Sequence, residues 1–255
     1  LNVISKQCPY GQCDGTGWMF IQDDNGTCYM RECRCRYDRQ ITNKLKSAKV
    51  PLDFIDATVS SFKTDIYKMQ ESQERAKTAK EVAIKYVNNY REFKDLGKGL
   101  YLFSEAKGSG KTRLAVSILS ALIKKYDIRG LYISSTDLLH EIKKTFDDSK
   151  YSAYEIIQQF TEAQLLVVDD FGVEKTTDWS EEMFTKILDD RMNYKRPTII
   201  TSNIEINQLS KKYRAGRIES RIEKMTFPVP LPEESVRSYL AQQENERIAE
   251  FIFSF

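Results

Sequence analysis

The stretch 104-SEAKGSGKTRL-114 has the residue types and spacing to hold a polyphosphate. A short apolar run, GLYLF (99–103), precedes it, and a helical pattern begins at Lys111. In a strand, glycine turn and helix of this kind, the backbone N–H groups of Gly108, Ser109, Gly110, Lys111 and Thr112 point into the phosphates. Arg113 follows along the helix, and the helix N-terminus adds its dipole. The Lys111 ammonium would reach the β and γ oxygens of ATP, and the Thr112 hydroxyl would ligate magnesium. The strict pattern has glycine where Glu105 stands. That glycine opens the loop rather than cradling the anion, so an outward Glu105 is compatible with binding. An inward carboxylate would repel ATP strongly at low dielectric.

Such a loop needs acids beside it, and LLVVDD (165–170) supplies them, with Asp169 lying 58 positions beyond Lys111. Four apolar residues ending in an acid fit a buried strand whose C-terminal end lies against the loop, a Walker B strand. Asp169 would hold magnesium through water, and Asp170 would orient the attacking water. Asp reaches one methylene less far than Glu, which points to slow turnover. Asn203 ends the run PTIITSN (197–203), where it could contact the γ-phosphate or the water. Arg217 and Arg221 are four apart, on one helical face that could present a guanidinium to phosphate. The sole histidine, His140, lies in a polar helical stretch, which argues against histidine catalysis.

All five cysteines fall in the first 35 residues, as Cys8, Cys13, Cys28, Cys33 and Cys35. An odd count without a secretion signal argues against a disulfide framework. A four-thiolate zinc site suits a small unit with too little core to fold alone. Cys8, Cys13, Cys33 and Cys35 are the expected ligands, with Cys28 spare.

These sites need elements to position them. The chain of 255 residues is 41% hydrophobic and 30% charged, a composition able to bury a core. No apolar run approaches a membrane span and the start lacks a signal-peptide layout, so a cytoplasmic protein is expected. Net charge is only +2, yet Arg31, Arg34, Arg36, Arg39, Lys44, Lys46 and Lys49 stand together against Glu32 and Asp38. That cluster is either a solvated surface or a contact for phosphate or an acidic partner. Apolar residues at 76, 79, 83, 86, 90 and 93 predict one amphipathic helix ended by Gly97 and Gly99. Beyond it, strands at 99–103, 130–134, 165–170, 197–203 and 225–229 alternate with helices, the last spanning 233–252. Ser135 or Thr136 is expected to cap the helix after the second strand. The expectation is an α/β fold, a five-stranded parallel sheet flanked by helices. Its domains would be a zinc-binding unit at 1–36, a basic linker at 37–62 and an ATPase domain at 63–255.

Read together, CPYGQCDGTG…CRCR, KVPLDF, GSGKTRL, LLVVDDFG, RPTIITSN, GRIESRI and SVRSYLAQQEN resemble, over nearly the full length, the DnaC/DnaI family of bacterial and phage helicase loaders, which are AAA+ ATPases. The cysteine-rich start is more similar to the DnaI type. The resemblance implies a P-loop and Walker B set of Lys111, Thr112, Asp169 and Asp170, with Asn203 as first sensor and Arg237 as second sensor at the nucleotide. It implies Arg221, with Arg217 as fallback, as an arginine finger reaching a neighbouring subunit's ATP, and hence self-association and weak hydrolysis by a lone subunit. It further implies ATP, magnesium and zinc as cofactors. The implied partners are a DnaB-type helicase hexamer, bound through the N-terminal region, and single-stranded DNA. Lys143, Lys144 and Phe146 in KKTF point to the DNA contact, pairing positive charge with an aromatic ring. Two rivals stand beside the loader: an IstB-type transposition ATPase, and a non-hydrolysing adaptor that occupies the helicase.

Overall fold

The computed structural model describes residues 8–147, 152–213 and 216–253. The chain divides into two compact units between Ser47 and Ala48, inside the stretch expected as a linker.

In the first unit, β1 (Trp18–Gln22) and β2 (Cys28–Glu32) form an antiparallel hairpin, with Phe20 opposite Met30. The Asp23 carboxylate accepts from the amides of Asn25 and Thr27, which fixes the turn. Helix α1 (Arg34–Ser47) follows and buries Cys35, Ile41 and Leu45. Residues 37–47, expected as the start of the linker, are therefore helical. Of the charged residues that make the segment resemble a linker, Lys44 and Lys46 are exposed, while Arg39 turns inward onto the cysteine cluster.

After a short 3-10 helix at Leu52–Phe54, the second unit continues with α2 (Gln70–Asn88) and α3 (Tyr90–Leu96), which the sequence pattern predicts as one helix. Asn89, at φ −109°, breaks them. Then come β3 (Gly99–Phe103), α4 (Lys111–Tyr126), β4 (Gly130–Ser134), α5 (Ser135–Asp147), α6 (Ala153–Glu162) and β5 (Leu165–Phe171). After these follow α7 (Asp178–Asn193), β6 (Thr198–Ser202), α8 (Leu209–Lys212), α9 (Arg217–Met225), β7 (Thr226–Pro230) and α10 (Arg237–Phe253). The five strands lie parallel in the order β4-β5-β6-β3-β7. Leu166, Val168 and Ile200 pack into a cluster with α5, α6, α7 and α9. Side chains alternate along a strand, so Val167 and Ile199 face the other side, where α4 packs on β5 and β6. Burial on both faces explains why β5 reads as an uninterrupted apolar run. Gly99 is required by close approach, since a Cβ there would lie 1.8 Å from the Thr198 carbonyl oxygen.

Two expected boundaries move. The cap of α5 comes from Ser134, whose Oγ accepts from the Asp137 amide at 3.0 Å. Ser135 and Thr136 do not play that part. The last helix starts at Arg237 rather than Glu233, because the two acids ahead of it are engaged elsewhere. Glu234 accepts from the amides of Lys68 and Met69, where α2 begins, and Glu233 accepts from the Ala106 amide at 3.0 Å.

One buried cation ties the unit together. Arg191 is fully buried, and its guanidinium donates to the carbonyls of Phe160, Ala163 and Pro197 and to Thr198 Oγ1, all at 2.6–2.9 Å. Burial pulls its pKa down to about 9. Carbonyl dipoles rather than a carboxylate compensate the charge, so α6, α7 and β6 must all be in place. Arg191→Ala strands these acceptors in a buried site, and should cost about 3 kcal/mol or more. The check is the urea midpoint of unfolding; an unchanged midpoint would refute this role.

Candidate functional site

The loop between β3 and α4 forms one wall of a cleft of about 360 Å³. Lys111, Thr112, Asp170, Asn203 and Arg237 all line it, with Phe54, Val236 and Leu240 supplying an apolar end. Glu105 is exposed and is not among the lining residues, so its carboxylate does not confront an anion there. Gly108 has φ +81°, and a Cβ would stand 2.8 Å from Arg237 Cγ. Glycine thus lets the start of α10 close over the loop.

The Lys111 ammonium donates to the carbonyls of Ser104 and Ala106 at 3.0 and 2.9 Å and to Ser109 Oγ at 3.3 Å. Burial lowers its pKa, against the opposing charges of Asp170, Glu233 and Asp169. Thr112 Oγ1 donates to both oxygens of Asp169, at 3.0 and 3.1 Å, across 57 positions of sequence.

Asp169 is 4% exposed and also accepts from Thr201 Oγ1 at 2.5 Å and Tyr132 Oη at 2.6 Å. Burial and the Asp169 charge raise the Tyr132 pKa, so its phenol keeps its proton and acts as donor. In a regular strand Asp170 would point into the opposite face. Instead the β5–β6 register slips between Val168 and Phe171, and Asp170 takes a left-handed φ of 51°. Its amide donates to Thr201 Oγ1 at 2.9 Å and its carbonyl accepts from Ser135 Oγ at 2.9 Å. This bulge sets Asp170 in the lining of the cleft, while Asp169 stays buried against Thr112. Burial and the neighbouring Asp169 raise the Asp170 pKa, partly offset by Lys111 and Arg237. The Thr112 hydroxyl and Asp169 offer hard oxygen donors beside a phosphate-type loop, a set that fits magnesium.

Asn203 and Arg237 thus join the cleft, whereas Arg217 and Arg221 are not among its lining residues. Arg221 makes a two-pronged pair with Asp189, at 2.5 and 2.7 Å, while Arg217 is exposed. Arg113 lines the cleft, and its guanidinium reaches Ser61 Oγ at 3.2 Å. Lys143 sits over the Trp179 ring and Lys144 lines a separate pocket; the Phe146 side chain lies outside the described residues. Tyr132, Ser135 and Thr201 escaped the sequence reading, since each looks like an ordinary strand or helix-start residue.

In the first unit, the sulfurs of Cys8, Cys13, Cys33 and Cys35 all lie within 4.8 Å of one another. Cys8 and Cys33 approach to 3.6 Å, and Cys13 and Cys35 to 3.5 Å. A tetrahedral ion with metal–sulfur bonds of about 2.3 Å sets its sulfurs about 3.8 Å apart, so the donors fit zinc. Burial pushes the Cys8 thiol up, but amides of Gln12, Tyr10 and Cys13 outweigh it and bring the pKa down to about 6. Arg39 braces the cluster, donating to the Gly15 carbonyl at 2.5 Å and to Cys35 Sγ at 3.7 Å. Cys28 is exposed on β2, apart from the four.

Comparison with known proteins matches residues 18–225 to the family described as IstB-like ATP binding protein. The replicative helicase loader DnaC of Escherichia coli K12 is 29% identical over 132 residues, covering 51% of this chain and 52% of DnaC. The crystal structure of DnaI superposes with a TM-score of 0.58 at 28% identity, covering 71% of this chain and 94% of DnaI. That of the DnaC helicase loader gives 0.57 at 28% identity, covering 71% and 99%. The chain spans about half the length of the curated relatives it matches, 52% of DnaC and 56% of YqaM from Bacillus subtilis. The larger unit thus has the AAA+ architecture expected of the sequence. No described helix is long and apolar enough to cross a membrane.

The thiolate cluster gives a direct expectation. Protein purified without chelator should carry about one zinc per chain by elemental analysis, set by four thiolates per ion. Cys35→Ser should lose it and melt the first unit, whereas Cys28→Ser should keep it. Equal zinc in both variants would refute the assignment.

Proposed function

The chain belongs to the IstB-like ATP-binding protein family, and from that membership we propose that it is an ATP-dependent loader placing a hexameric DnaB-type helicase on single-stranded DNA. The observation that carries the nucleotide half is the contact between Thr112 and Asp169, which joins the glycine loop to the acidic strand across 57 positions. The likeness to DnaC and DnaI supports the helicase half.

In this reading Lys111 swings from the carbonyls that hold it to the β and γ oxygens, and the loop amides bind the remaining phosphate charge. Magnesium, when bound, neutralises that charge and fixes the phosphates. Thr112 and Asp169 would hold it, Asp170 would orient the attacking water, and Asn203 and Arg237 would read the γ-phosphate. Phe54, Val236 and Leu240 give the base an apolar seat. Arg221 reaches a neighbouring copy's nucleotide only by leaving Asp189, which makes hydrolysis depend on assembly. Arg217, already exposed, is the fallback. The first unit, with zinc in its four thiolates, presents Phe20 and Met30, 80% and 57% exposed, as helicase-facing surface.

The IstB-like family description is equally compatible with a second reading, an IstB-type transposition ATPase. Native mass spectrometry with the replicative helicase of the same cell separates the two. With ATP, ADP or no nucleotide, the wild type should form a defined complex that changes with nucleotide, and Lys111→Ala a complex that does not. A complex indifferent to nucleotide in both would favour a non-hydrolysing adaptor, and none at all would favour transposition. In the assembled complex Asp170→Asn should keep nucleotide binding but lower ATP turnover at least about 100-fold. Retained turnover would exclude Asp170 from ordering the water.

A further inference from the structure

Asp169 has two partners in the glycine-loop and first-sensor segments, and a third that belongs to neither. Tyr132 lies on β4, the edge strand, in register with Val167 of β5. Its ring therefore leans on the face shared by Val167 and Asp169, and its hydroxyl crosses diagonally to Asp169 Oδ2 at 2.6 Å. The strand that carries it is fixed from the outer side as well. The Tyr132 amide, which points off the sheet edge, donates to the Ala48 carbonyl at 2.8 Å. Its side chain also walls a pocket of about 200 Å³ with Lys49, Ser134, His140 and Lys144, on the flank away from the nucleotide cleft's lining.

The two Asp169 oxygens thus have distinct duties. Oδ1 is pinned by Thr201 at 2.5 Å and Oδ2 by Tyr132, while Thr112 spans both. The Thr112 hydroxyl is itself an expected magnesium ligand, so its bond to Asp169 has to be redirected when an ion binds. Thr201 and Tyr132 carry no such duty and can hold the carboxylate plane while the ion arrives.

We propose that Tyr132 is a positioning residue for the magnesium acid, holding Asp169 by one oxygen so that the other lone pairs face the ion; this rests on the nucleotide-site reading above. A carboxylate freed at Oδ2 can rotate about its last torsion and admit water, and the resulting loss falls on ion binding. The nucleotide's own contacts with the loop amides and Lys111 do not involve Tyr132. Partners that orient a ligating carboxylate are worth about 10- to 100-fold in metal affinity.

The test is Tyr132→Phe in the full chain, which removes the hydroxyl and keeps the ring. Binding of a fluorescent N-methylanthraniloyl-ADP is followed during a magnesium chloride titration and, separately, in EDTA. The magnesium concentration for half-maximal enhancement of binding should rise about tenfold, at the lower end of that range. Affinity in EDTA should stay at the wild-type value, and the variant should still fold, with a melting temperature lowered by no more than the loss of one hydrogen bond to a buried carboxylate accounts for. An unchanged magnesium midpoint would overturn the proposal. So would an equal loss of affinity with and without magnesium, or a variant that fails to fold, since either makes the hydroxyl merely structural. If the wild type binds no nucleotide under any condition, the site reading itself falls and takes the role of Tyr132 with it.

Discussion

A carboxylate that is 4% exposed is the interaction on which the larger unit's site depends. Burying that charge is tolerable only if its lone pairs are matched. Asp169 meets the requirement with hydroxyls from α4, β4 and β6, supplied by Thr112, Tyr132 and Thr201. Each donor belongs to a different element, so the register of two strand pairs and the seating of one helix must be correct together. A slip of one residue in β4 or β6 would turn its donor to the opposite face. Order at the site and order in the sheet are therefore the same property.

The bulge at Asp170 follows from the same requirement. Consecutive acids on a strand point to opposite faces, and one of them would enter the cluster built on Leu166 and Val168. Left-handed backbone at a non-glycine residue is costly, on the order of 1–3 kcal/mol. Thr201 and Ser135 hold it there by binding the Asp170 amide and carbonyl. The sequence makes both acids visible as a motif, but not the turn that sets Asp170 in the cleft beside a buried Asp169. That turn depends on a threonine 31 positions away, which no local pattern connects to it.

What was legible had local causes. The extents of β3, α4 and β4 could be read from apolar runs and glycines, and the four cysteines could be singled out from their number and spacing. What was not legible involved competition between a local preference and a distant partner. Residues 37–47 carry enough charge to resemble a linker, yet they continue a helix of the first unit that buries Ile41 and Leu45. Glu233 and Glu234 look like the first turn of a helix, but the amides of Ala106, Lys68 and Met69 claim them first. The pair of arginines was visible; that Asp189 holds one of them was not.

The strand β6 illustrates why such residues stay hidden. Its sequence, TIITS, is what β-propensity favours, so its threonines are absorbed as strand formers. Each is in fact assigned to a buried charge. Thr198 accepts from the Arg191 guanidinium at 2.8 Å at one end, and Thr201 donates to Asp169 at 2.5 Å at the other. Valine would suit the strand and the packing as well, and would leave both ions short of a partner. The hydroxyls are thus explained by the cation that joins α6, α7 and β6, and by the anion that joins α4, β4 and β6. Between them these two charges specify how the central strand is placed against its neighbours, which apolar packing alone would leave less constrained.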